Sequence, residues 1–180
     1  MTREQFFKKY NVLAKKRKCN VTKSTVTLDD VRKLEKKYNI KMPQEYIDFI
    51  SVAAHDISSL KGVIDNFLAE DDVHVELEIP TQPLNNELSE IDELFSRCES
   101  YLNAGYIPIG DLDETGFLCI DTCMDGIFMK RFDYEWCMDF TTREEFESDG
   151  IMVFDCFEDF ISCFFEGKKY DATKCEDYND

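Results

Sequence analysis

Beyond Lys41 the chain has few cations, and along its whole length it is short of glycine, proline and histidine. The first 41 residues hold 13 Lys/Arg against 4 Asp/Glu, and the other 139 hold 8 Lys/Arg against 34 Asp/Glu. The two stretches therefore carry about +9 and −26, which sum to the formal net charge of −17. A body so poor in positive charge repels nucleic acid and anionic membranes and attracts basic protein surfaces over a Debye length or more. Seven Gly and four Pro leave no material for a long flexible linker. With only His55 and His74 there is no paired-ligand signature for zinc. No apolar run approaches the length needed to span a bilayer. Met1 to Lys18 lacks the continuous apolar stretch and small-residue cleavage site of a secretory leader. The expected location is the cytoplasm.

What the chain does hold is enough apolar material for a core: 43% hydrophobic residues, with 15 Phe and 8 Tyr. That excludes global disorder, and the length suits one domain with a decorated terminus. The eight Cys fall on apolar faces of a chain without an export signal, so they read as reduced thiols rather than a disulfide framework.

Helical periodicity comes first. Thr2 and Gln5 can form a capping box ahead of Phe6, Tyr10, Leu13 and Ala14, and Lys15-Lys16-Arg17-Lys18 closes that helix. A second helix starts near Thr27, with Leu28, Val31, Leu34 and Tyr38 on one face and Asn39 as its stop. Pro43 opens a third, whose buried stripe is Tyr46, Phe49, Ile50 and Ala53. Ile57 to Leu68 fits a helix weakened by Gly62. Val73 to Ile79 alternates strictly and reads as a half-buried strand ended by Pro80. Leu88 to Leu102 reads as one long amphipathic helix. Short strands follow at Tyr106 to Ile109, Phe117 to Asp121 and Ile127 to Phe132, with a fourth candidate at Glu135 to Phe140. Ile151 to Phe154 is a strand or the lead-in to a last helix that buries Phe157, Phe160, Ile161 and Phe164. Helices, then an antiparallel meander, then a closing helix make an α+β fold: a mainly antiparallel sheet flanked by helices, with an extra basic N-terminal helix. The expected boundaries are 1–26 for that helix and its connector, 27–167 for the domain, and 168–180 for a polar tail.

Four segments carry a family likeness. Leu34-Glu35-Lys36-Lys37-Tyr38 precedes Met42-Pro43-Gln44-Glu45-Tyr46-Ile47-Asp48-Phe49-Ile50; Tyr106-Ile107-Pro108-Ile109-Gly110, Gly116-Phe117-Leu118-Cys119-Ile120-Asp121 and Phe157-Glu158-Asp159-Phe160-Ile161 follow in order. This series resembles the SUKH superfamily, which includes the fungal Smi/Knr-type cell-wall regulators and many bacterial toxin-immunity proteins. The likeness covers about Thr27 to Gly167. It departs where Ala54-His55-Asp56 stands in place of Asn-Gly, and it leaves out the basic helix Met1 to Cys19. The resemblance implies a non-enzymatic binding module with a six-stranded or similar sheet. Many such relatives are implied to neutralise toxins, often nucleases. A nuclease must be basic to hold phosphate, so an acidic inhibitor is steered to the same surface and occludes it. The alternative is a regulatory or scaffold module binding an endogenous protein.

The candidate partner-binding residues are the acids of the meander: Asp111, Asp113 and Glu114 after its first strand, Asp121 and Asp125 around the next turn, and Asp133, Glu135 and Asp139 bracketing Trp136, the single Trp. Adjacent hairpin ends on one edge would make these a charged rim around an aromatic anchor, the composition of a hot spot for a basic partner. The same residues read equally as a solvated acidic surface around a core-packed Trp136. Asp111-x-Asp113 with Gly116 resembles the start of a calcium loop, but Thr122 stands where a bidentate Glu is required. Cys119-x-x-x-Cys123 lacks partners for a zinc site, and neither His sits in a catalytic context. No catalytic residue, metal or cofactor is expected. The partner is a basic toxin domain or another protein, with no nucleic acid and no membrane. The basic helix is either docked on its own chain or an arm that touches a partner.

Overall fold

The computed structural model describes residues 1–55, 59–65, 74–80, 82–83, 88–112, 116–124, 126–133 and 139–166. The fold is α+β. The chain divides into two compact units, Met1–Leu60 with Pro80–Glu99 and Lys61–Ile79 with Ser100–Asp180.

The first unit is mainly helical. Its helices are α1 (Arg3–Arg17), α2 (Leu28–Tyr38), α3 (Gln44–Ile50) and α4 (Ser89–Arg97). A small sheet orders its strands β1 (Val21–Lys23), β2 (Ala53–His55) and β5 (Gln82–Pro83), antiparallel then parallel. Local chemistry starts the first two helices. Both Thr2/Gln5 and Thr27/Asp30 form reciprocal capping boxes, each satisfying two otherwise orphaned N–H groups. Asn39 ends α2 in the left-handed region, where its short polar side chain is tolerated. α1 docks on α3 through Phe6, which meets Phe49 edge-on at 6.0 Å, and Tyr10, whose hydroxyl donates to the Phe49 carbonyl at 3.2 Å. Phe6, Tyr10, Leu13 and Ala14 are all buried, and burying an aromatic of this size is worth about 1.5–3 kcal/mol. The Arg3 guanidinium adds hydrogen bonds to the Ser51 hydroxyl and carbonyl, both 2.8 Å.

The second unit is built on a six-stranded sheet ordered β3-β4-β6-β7-β8-β9: Ser59–Asp65, His74–Pro80, Tyr106–Leu112, Gly116–Asp121, Phe128–Asp133 and Ile151–Phe154. Helices α5 (Glu99–Asn103), α6 (Arg143–Asp149) and α7 (Phe157–Glu166) accompany it. β7 lies at its centre, every residue buried, and pairs antiparallel with β6 and β8. Tyr101, Tyr106, Phe117, Phe132 and Phe146 form one aromatic cluster with centroids 4.6–5.8 Å apart. α7 buries the expected Phe157, Phe160, Ile161 and Phe164, together with Cys163 and Phe165.

Several expectations need correction. Residues 59–65 form a strand rather than part of a helix, and 57, 58 and 66–68 lie outside the described residues. The helix expected over Leu88 to Leu102 breaks at Cys98, whose N–H is shared between the Leu94 and Phe95 carbonyls as the last turn tightens. Ala53 is buried, but in β2 rather than on α3. Leu28 is 51% exposed, because it is the first residue of α2 and stands beyond the buried stripe of Val31 and Leu34. Of the candidate strand Glu135 to Phe140, residues 135–138 lie outside the described part, and Asp139 and Phe140 are not in a strand. The neighbour of β8 is instead β9, which settles Ile151 to Phe154 as a strand. No helix among the described residues is long and apolar enough to cross a membrane.

Candidate functional site

The charge of the chain is segregated between the two units. The first has 14 Lys/Arg and 12 Asp/Glu, a balance of +2; the second has 7 Lys/Arg and 26 Asp/Glu, a balance of −19. The candidate site therefore belongs to the second unit, and its described acidic element is α6.

Thr142-Arg143-Glu144-Glu145 starts this helix. The Thr142 hydroxyl accepts from the Glu145 N–H, and the Glu145 carboxylate accepts from the N–H groups of Thr141 and Thr142, both at 2.9 Å. Those backbone donors hold the Glu145 carboxyl below the usual carboxylate range. One face of α6 is anchored. Phe146 is fully buried in the aromatic cluster. The Arg143 guanidinium donates to both carboxylate oxygens of Asp121 (2.9 and 3.0 Å), to the Ala104 carbonyl (3.1 Å) and to Glu147 (2.8 Å), and lies 4.8 Å above the Tyr106 ring. Burial disfavours its charge, yet the hydrogen bond and attraction of Asp121 raise its pKa further. The other face is exposed. Glu144 and Asp149 there, and Asp139 just before the helix, have no cation within ion-pair distance among the described residues. Asp149 also sits at the negative end of the helix, where a carboxylate is unfavourable until a cation meets it.

The same anchor holds the turn after β7. The Thr122 N–H and hydroxyl both donate to the Gly105 carbonyl (3.0 and 2.7 Å), and the Cys123 N–H donates to Asp121 at 2.9 Å. Gly105 has φ +88°, and a Cβ there would stand 2.9 Å from the Cys123 sulfur and 3.2 Å from Arg143 Nη1. Only glycine fits. Lys130, 8% exposed, is a second cation near Asp121, at 3.8 Å. Tyr106, fully buried beside them, leaves its hydroxyl without a hydrogen-bond partner among the described residues. Burial, then the Asp121 charge, raises its pKa.

These positions divide the sequence-derived candidates. Asp121 is not a surface residue: it is fully buried and neutralised by Arg143 and Lys130, because an internal carboxylate must be paired. Nor do the hairpin ends share an edge. In an antiparallel meander successive turns fall at opposite ends: Leu112 pairs with Gly116 at one end of β7, and Asp121 with Phe128 at the other. Six residues of strand put about 17 Å between these ends. Asp111, half-buried, lies near the first end, with Glu78 its register partner on β4; Asp133 is at the same end, opposite Gly116. Asp139 is exposed. Asp113, Glu114, Asp125, Glu135 and Trp136 lie outside the described residues. Sequence reasoning missed α6 altogether, although Thr142-x-x-Glu145 is a capping-box signal that could have found it.

Two other features have chemical potential. Asp155, Cys156 and Asp159 bring one ligand atom each within 4.8 Å of one another before and within α7. There the Cys156 thiol donates to Asp159 at 3.1 Å, and burial pushes the thiol pKa up, which keeps it a hydrogen-bond donor rather than a thiolate. In the first unit a groove of about 340 Å³ runs between α2 and the start of α4. Its charges are satisfied locally: Lys33 pairs with Asp30 (2.9 Å) and Lys37 with Asp92 (2.6 Å).

The model of the SMI1 / KNR4 family (SUKH-1) matches residues 25–163, more than three quarters of the chain and nearly the span of the sequence likeness. No curated protein matches the chain.

Proposed function

The chain belongs to the SMI1 / KNR4 family (SUKH-1), and on that premise we propose that it is a non-enzymatic binding protein, an immunity protein that neutralises a basic, nuclease-type toxin domain by occlusion. The family is one of toxin-immunity and Smi/Knr-type regulatory proteins. The observation that carries the choice between them is the −19 of the second unit, expressed at its surface by an anchored helix whose exposed carboxylates lack cations among the described residues. A toxin that holds phosphate presents Lys and Arg, and a rigid acidic helix meets them with little ordering cost. Complementary fields raise the association rate, and closure of the contact excludes the substrate. Asp139, just before α6, extends the same reading; Asp111 and Asp133, about 17 Å away at the other end of β7, would need a partner that spans both ends.

The test is co-purification with the toxin domain encoded beside it, followed by titration of the complex with salt and with the variant Glu144→Lys/Asp149→Lys. The reading expects affinity to fall by roughly tenfold or more on charge reversal, and to weaken as salt rises. An affinity insensitive to both would refute it. Capture of an endogenous protein with no toxin gene nearby would move the chain to the regulatory side of the family.

A further inference from the structure

The first unit has a cationic surface to which the proposed function assigns no role. Of the Lys and Arg on α1 and α2, several are spent locally: Lys8 on Glu4, Arg32 on Asp29, Lys33 on Asp30 and Lys37 on Asp92. Lys15, Lys16 and Lys18, at the end of α1, are different. All three are exposed and none has an acidic partner among the described residues. Lys18 is held in the left-handed conformation (φ 57°, ψ 34°), a position where glycine is the ordinary occupant. Val12, 54% exposed, stands on the same outer face of the helix as Lys15 and Lys16, an apolar centre beside a cationic rim.

Three unpaired lysines are too few to hold nucleic acid or an anionic lipid surface, whose binding rests on many phosphate contacts. A second copy also carries −17, so a contact with it forms only where salt screens that net repulsion and leaves the local pairs. A compact acidic helix is a better match, and this sequence supplies one. We propose that the lysine end of α1 docks on α6 of a second copy of this chain, with Lys15, Lys16 and Lys18 facing Glu144 and Asp149. Both surfaces are exposed, both are unpaired among the described residues, and their signs are opposite. The contact joins two different patches, so it either repeats head to tail into a ring or chain or is made twice about a two-fold axis. It also covers the face proposed for the basic partner, so that partner and second copy compete for α6. The self-contact is testable without a toxin, and its failure leaves the immunity reading standing.

Sedimentation velocity of the full chain decides it. At about 0.15 M salt, where a Debye length of about 8 Å screens the −17 of one copy from that of the other but spares the local pairs, the mass rises with concentration above the 21.1 kDa monomer; near 1 M salt, with a Debye length of about 3 Å, it returns to monomer. Lys15→Glu/Lys16→Glu abolishes the association, and so does Glu144→Lys/Asp149→Lys. Combining the two pairs restores both the contact and the net charge. Combining Glu144→Lys/Asp149→Lys with Lys36→Glu/Lys41→Glu restores the net charge only, and leaves a monomer. A wild type that stays monomeric at about 0.15 M salt overturns the proposal. So does a charge swap that fails to restore association, or a control that restores it equally well.

Discussion

Replacing Arg143 with methionine removes the guanidinium that joins α6 to the sheet while keeping a side chain of similar length. Asp121 then loses donors at 2.9 and 3.0 Å, the Ala104 carbonyl loses one at 3.1 Å, and the Tyr106 ring loses its stacked cation. Breaking a buried ion pair from one side costs about 3–5 kcal/mol, because the remaining charge stays buried and unmatched. Here the loss falls at the low end, about 3 kcal/mol, for two reasons. The Arg143 side chain is 25% exposed, and Lys130 still stands 3.8 Å from Asp121. For a chain of this length that is roughly 6–12 °C in Tm, measured by circular dichroism. The partner variant Asp121→Asn buries no charge itself but strands Lys130 and Arg143. The double variant Arg143→Met/Asp121→Asn should cost less than the sum of the singles by about 1.5 kcal/mol or more. Hydrogen exchange should place the loosening in α6 and in residues 122–124 after β7. If Arg143→Met lies within about 1 kcal/mol of wild type, or the two changes simply add, the anchor is not what holds the acidic helix in place.

Two more outcomes follow from local geometry. The Thr27 hydroxyl donates to Asp30 at 2.6 Å and, with Lys33 beside it, holds the Asp30 carboxyl down to about 2. The contribution of this helix start is complete above the unfolded value of about 4 and is lost as the pH falls towards 2. A carbon-detected NMR titration should find the Asp30 midpoint there, and Thr27→Ala should raise it; a midpoint in the ordinary carboxylate range for wild type refutes the assignment. At Gly150 an added Cβ would stand 2.7 Å from the fully buried Phe132 ring and 3.0 Å from the Phe146 carbonyl. Gly150→Ala should therefore destabilise by about 1–3 kcal/mol in urea unfolding, and a neutral result would show that the aromatic cluster has slack.

Interactions that close within three or four residues could be read directly from the chain. Thr2 with Gln5 and Thr27 with Asp30 need only their own helix, so their patterns predict both the start and the geometry. The stripe Phe6, Tyr10, Leu13 and Ala14, the alternation ending at Leu77 and Ile79, and the closing helix with Phe160 and Phe164 were legible for the same reason: burial follows from a period. The family likeness lay in the order of such segments. The fate of a charge, by contrast, depends on which residues distant in sequence arrive beside it. Asp121 looks like its acidic neighbours until Arg143, 22 residues later, comes within 2.9 Å and makes it part of the core. The two ends of β7 look adjacent in sequence, but antiparallel pairing sets them a strand length apart. The helix from Leu88 breaks at Cys98 although its apolar period runs on. Period and composition establish how much of this chain is buried and how acidic it is. Long-range pairing, whose partners no local pattern encodes, establishes which carboxylates face water.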